Sequence, residues 1–95
     1  ATVSVLNATN TVGLAANTTD FLVSNGINVV DTGNAQEIAT QTTVIDYTGN
    51  PYTRQRLMEV MGLESSQIYY SNDINSQIDI VIILGEDWVD KLPNP

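Results

Sequence analysis

Residues Ile80-Val81-Ile82-Ile83-Leu84 form an unbroken apolar run, four of its five side chains β-branched, closed by Asp79 on one side and Gly85 on the other. The run falls far short of the roughly 20 residues a helix needs to cross a bilayer. β-Branched side chains crowd a helix and suit the pleated surface of a sheet, so the run is a strand. With no polar position between its ends, it belongs inside a sheet rather than at the rim. The rest of the chain must then supply neighbours on both sides and a layer to cover it.

Those neighbours recur at short intervals. Residues 2–7 alternate in part through Val3 and Val5, then enter a polar turn, Asn7-Ala8-Thr9-Asn10-Thr11, whose side chains bond their own backbone. A first helix follows, capped near Thr11: Leu14, Ala15, Thr18, Phe21 and Leu22 share one stripe, and Asn25-Gly26 supplies a left-handed stop. Residues 27–30 read as a second strand and 42–47 as a third. Asn50 as N-cap before Pro51 opens a second helix, whose stripe of Leu57, Met58, Val60 and Met61 ends at Gly62, with Leu63 placed to fold back on Met58. Residues 67–70 make a short strand, 71–77 a polar loop and 78–84 the last strand. The order β-α-β-β-α-(β)-β predicts a single α/β domain over residues 1–95. It is expected to be a two-layer sandwich with two helices on one face of a mixed sheet, ferredoxin-like in outline, its strand order left open.

Three basic residues, Arg54, Arg56 and Lys91, face eleven acidic ones, a net charge of −8. Nucleic-acid binding rests on several Lys or Arg displacing counterions from phosphates, and three cannot form that patch. The same charge opposes docking on anionic lipid. With no His and no Cys, the chain lacks imidazole bases, thiol nucleophiles and the usual zinc ligand sets. No cofactor is expected. Carboxylate-pair glycoside hydrolysis is the acid–base chemistry left, and no spacing singles out a pair. The chain opens at Ala1 and enters a strand at once, so it is expected to be cut from a longer, membrane-anchored protein.

Several local patterns suggest a site, and each has a plainer reading. The turn from Asn7 to Gly13 could present helix-start amides to an anion, but phosphate loops need more glycines than Gly13 alone. Asp73-Ile74-Asn75 starts like a calcium loop, yet Ile78 and Leu84 stand where Gly and Glu are required. Glu86, Asp87 and Asp90 around Trp88 could hold a divalent metal; the plainer reading is a solvated acidic end with Trp88 packed as a lid. Tyr47, Tyr52, Tyr69 and Tyr70, with Trp88, could form a platform that stacks on a sugar, Tyr47, Tyr69 and Trp88 being the leading candidates, against a plainer role at the core margin. Strand phase adds one more candidate. Setting Val3 and Val5, Ile45 and Tyr47, and Ile80, Ile82 and Leu84 under the helices turns Asp46 to solvent. It also turns Leu6, Val44, Val81 and Ile83 outward, as a contact face for a partner protein, a second copy or an attached catalytic domain. The alternative is that the loop of residues 34–41 or the tail after Trp88 folds across that face.

The blocks Val5-Leu6-Asn7-Ala8-Thr9, Val12-Gly13-Leu14-Ala15, Gly26-Ile27-Asn28-Val29-Val30, Thr42-Thr43-Val44-Ile45-Asp46-Tyr47 and Asp79 through Trp88, in that order and spacing, carry a likeness over about residues 2–88. Together they resemble the C-terminal accessory domain of LytR/CpsA/Psr cell-envelope proteins. One departure is Ala8, where the family's turn has Gly. The resemblance implies an extracellular domain of a Gram-positive-type bacterium, at the outer face of the cytoplasmic membrane or in the cell wall. It also implies that glycopolymer transfer to peptidoglycan belongs to another domain, so no catalytic residue carries over. The expected role is a non-catalytic module that positions a partner or the attached catalytic domain; the rival is a peptidoglycan-binding module, and a small glycan hydrolase comes third.

Overall fold

Residues Ile80–Leu84 take the middle of a five-stranded sheet, as their apolar run requires. In chain order the elements are β1 (Val3–Asn7), α1 (Leu14–Ser24), β2 (Val29–Asn34), β3 (Thr43–Asp46), α2 (Pro51–Met61), a 3-10 turn (Ser65–Gln67), β4 (Ile68–Tyr70), β5 (Ile80–Leu84) and α3 (Glu86–Val89). The computed structural model describes residues 2–49, 51–71, 73 and 75–91, so the expected N-cap Asn50 lies outside the described residues.

The sheet order is β2-β1-β5-β3-β4. β1 runs parallel to β2 and β5, while β3 runs antiparallel to β5 and parallel to β4. Two βαβ units thus stand side by side in opposite directions, with β5 as the seam between them. Each unit grows outward from the seam, and right-handed crossovers then put both helices on the same face. Leu14, Ala15 and Leu22 of α1 and Leu57 and Met61 of α2 accordingly share one core with Val3, Val5, Val44, Ile80, Ile82 and Leu84. The layers are those of the expected sandwich. The order is distinct from the ferredoxin-like one, because β1 and β2 are immediate neighbours and so are β3 and β4.

Both helix stops follow the sequence. Gly26 has φ 82° and Gly62 φ 67°, and the amides of Ile27 and Leu63 donate back to the carbonyls of Leu22 and Met58, each at 3.0 Å. The start of α1 differs: Gly13, in a left-handed conformation, precedes Leu14 without a side-chain cap. Thr11 serves the turn instead. β2 is also displaced, because the Ile27 amide is spent closing α1 and the ladder with β1 continues past an irregularity to Asn34.

The phase of β3 reverses the expectation. Val44 stands opposite Ile82 and Asp46 opposite Ile80, and directly opposed residues in an antiparallel pair share a face. Val44 is therefore fully buried in the core rather than on the outer contact face, and Asp46 is fully buried under the helices rather than solvated. Ile45 takes the outer position, opposite Val81. Burial of Asp46 is sustained by Arg54 of α2, whose Nε lies 2.8 Å from Asp46 Oδ2, and by the amides of Thr48 and Gly49 donating to Oδ1.

Candidate functional site

Cross-strand pairing builds two rows on the face away from the helices. One runs Asp31, Ser4, Val81, Ile45, Tyr69 and the other Gly33, Leu6, Ile83, Thr43. Leu6, Ile45, Val81 and Ile83 meet at its centre, each half-buried, with Asp31 exposed at one border and Tyr69, 57% exposed, at the other. Three of the four expected contact residues are thus on one face, and Ile45 replaces Val44. Residues 92–95 of the tail lie outside the described residues; among those described, the loop after β2 covers one end of this face. It is held by the Ala35 and Ala39 amides donating to the carbonyls of Asn7 and Ala8 at 3.0 and 2.8 Å. A hollow of about 500 Å³ remains against Leu6 and Ile83, walled by Ala35, Glu37, Ile38 and Ala39. Ile38, on that loop, is 55% exposed.

The expected aromatic platform does not assemble. Trp88 is buried on the helix side, its Nε1 donating to Thr18 Oγ1 at 2.9 Å and its ring 5.9 Å from Phe21. This explains a threonine within the apolar stripe of α1. Tyr69 lies on the opposite face, and Tyr47 is half-buried just past the end of β3. The acidic end is also divided. Asp87 Oδ1 accepts from the Thr42 amide at 2.9 Å and the Thr42 hydroxyl at 2.7 Å, and Gln67 Nε2 donates to the Thr42 carbonyl at 2.8 Å. Asp87 thus pins the start of β3 to α3, while Glu86 and Asp90 are exposed. No group of three or more acidic side chains among the described residues is arranged to hold a metal ion.

The turn after β1 closes on itself. Asn7 Oδ1 accepts from the Thr9 amide and hydroxyl, Asn7 Nδ2 donates to the Thr11 carbonyl, and Thr9 Oγ1 accepts from the Thr11 amide. The Thr9 and Thr11 amides are thus spent within the turn, and that of Ala8 on the Leu84 carbonyl. Ala8 is buried, and no described residue other than glycine has positive φ, so alanine stands there without strain. Asp73 accepts from the Asn75 amide in a local turn, and Ile74 lies outside the described residues.

A second concavity was not visible in the sequence. A groove of about 670 Å³ separates the turn after α1 from α2, lined by Asn25, Asn28, Tyr52, Gln55, Arg56 and Glu59. Its residues come from segments about 30 positions apart that only the parallel crossovers bring together. The helical spacing of Tyr52, Gln55, Arg56 and Glu59 along one side of α2 was the one signal available.

Residues 1–88 match the family described as LytR cell envelope-related transcriptional attenuator. The chain belongs to this family. LytR C-terminal membership supports an accessory module of the cell envelope, and it covers the span over which the sequence blocks recur. No protein of the curated set matches the chain. The fold is similar to the crystal structure of the soluble domain of a conserved hypothetical secreted protein from Mycobacterium marinum. The TM-score is 0.59 at 21% identity, covering 90% of this chain and 59% of that one. At that identity the likeness establishes the fold, and this chain spans little more than half the length of that domain. Among the described residues, no helix is long and apolar enough to cross a membrane.

Proposed function

We propose that the chain is a non-catalytic extracellular module, carried by a longer envelope protein at the outer face of the cytoplasmic membrane or in the cell wall. It positions a partner protein, or the domain attached to it, against its outer sheet face. The observation that carries this reading is the cluster of Leu6, Ile45, Val81 and Ile83 on a face that no helix among the described residues covers. Contiguous apolar groups on a small domain signal a contact surface, and Tyr69 at the border is of a type enriched where binding energy concentrates. Charge selects the occupant. A second copy would bring another net charge of −8, so the fitting partner is a protein surface that is apolar at its centre and basic at its rim. Family membership supports the envelope setting, and the secreted neighbour supports the extracellular side.

Photo-crosslinking in the full-length envelope protein tests the proposal. Benzoylphenylalanine in place of Val81 is expected to give one discrete adduct, and the same group in place of Asp20, on the exposed side of α1, none. Equal labelling from both positions would contradict a dedicated outer face.

A further inference from the structure

The groove between α1 and α2 has a chemistry unlike that of the outer sheet face. Its volume of about 670 Å³ lies within the range of small-ligand sites. In a molecule of net charge −8, its two charges cancel: Arg56 Nη1 stands 3.6 Å from Glu59 Oε2. The guanidinium is otherwise lightly engaged, Nη2 donating to the Asn25 carbonyl at a long 3.5 Å, and Arg carries five donors in a rigid fork. The amides of Asn28 and Gln55 place donors beside acceptors in the same wall, while Asn25, whose Nδ2 donates to the Phe21 carbonyl at 2.8 Å, offers its oxygen. Tyr52, in the first turn of α2, is 82% exposed at the edge of this wall.

Planar groups with paired donors and acceptors match the neighbouring hydroxyl and acetamido groups of a sugar ring, and an exposed aromatic face matches the ring's apolar C–H side. Other ligand classes fit less well. A polyanion meets the repulsion of the whole molecule, and an apolar peptide would take the Arg56–Glu59 pair and the Asn28 and Gln55 amides out of water without giving them new hydrogen bonds. We propose that this groove binds an uncharged glycan of hexose or N-acetylhexosamine units, with Tyr52 as stacking platform and Arg56 as hydrogen-bonding anchor. The site is separate from the outer sheet face, so either can fail without the other.

Titration of the isotopically labelled chain with chitohexaose, maltohexaose and polyglutamate, followed by amide NMR shifts, tests the assignment. One of the two sugars is expected to give saturable shifts confined to residues 25–28 and 52–59, at an affinity of about millimolar. Tyr52→Ala and Arg56→Gln should each weaken binding about tenfold, with thermal unfolding unchanged in Tyr52→Ala, whose side chain is exposed. Tyr69→Ala, on the opposite face, should leave binding unaltered. Absence of shifts with both sugars, shifts centred elsewhere, indifference to Tyr52→Ala, or a response to polyglutamate alone would each overturn it.

Discussion

Arg54 and Asp46 are unequal partners in their ion pair. The Asp46 side chain is fully buried, whereas that of Arg54 is 33% exposed and can turn to water if its partner is lost. Arg54→Met therefore leaves a buried carboxylate without its cation and should cost about 3 kcal/mol or more. Asp46→Asn keeps an oxygen for the Thr48 and Gly49 amides but turns a buried amide nitrogen toward Arg54 Nε, and should cost about 1–3 kcal/mol. Chemical denaturation of the two variants checks the asymmetry. Asp79 supplies a pH-dependent term. The Thr2 amide donates to Asp79 Oδ2 at 2.8 Å, and the Thr48 and Thr2 hydroxyls add to this, against a smaller effect of burial. Its pKa is therefore held below the ordinary value of 3.8. A depressed pKa contributes stability above the unfolded value and loses it as pH falls through the folded one. Acid unfolding should thus be less steep below about pH 4 in Asp79→Asn than in the parent chain. The inward turn of Asp46 was hard to read because its cation sits eight positions on, in another element. The spacing to Thr48-Gly49, whose amides it binds, was the local sign.

At the scale of elements, junctions set the geometry. Gly85, between β5 and α3, has no room for a side chain: a Cβ there would stand 2.3 Å from the Gln41 backbone carbon and 2.6 Å from its oxygen. Gly85→Ala should force the two segments apart, costing about 2 kcal/mol or more in equilibrium unfolding. Thr18→Val should cost about 1–3 kcal/mol by leaving the buried Trp88 Nε1 without its acceptor, and Thr18→Ser should restore most of it. The helix ends were legible because a left-handed glycine and the apolar residue after it form a local signal. The central place of β5 was equally legible, since few surroundings accept five apolar residues in a row. The phase of β3 was not: Val44, Ile45 and Tyr47 offer apolar residues to both faces, so antiparallel register with β5 decides. The role of Trp88 as lid was readable, but its one-turn helix and its bond to Thr18 required the tertiary fold.

The core formed by the helices and the sheet does not include Ile83, and the radius of gyration of 12.1 Å is close to the roughly 12 Å expected for a chain of this length. Ile83→Glu should therefore lower stability by only about 1 kcal/mol while removing attachment through that face, as read by loss of the crosslink from position 81. The net charge of −8 should keep the isolated chain monomeric in sedimentation at low salt. In the proposed arrangement another protein surface of the envelope covers Leu6, Ile45, Val81 and Ile83. Methyl relaxation by a soluble paramagnetic probe, compared between the isolated chain and the full-length envelope protein, reads that cover. These four residues should be broadened in the isolated chain and shielded in the longer protein, while Ile82 and Leu22 stay shielded in both; equal broadening of the four in both samples would overturn the assignment of the outer face.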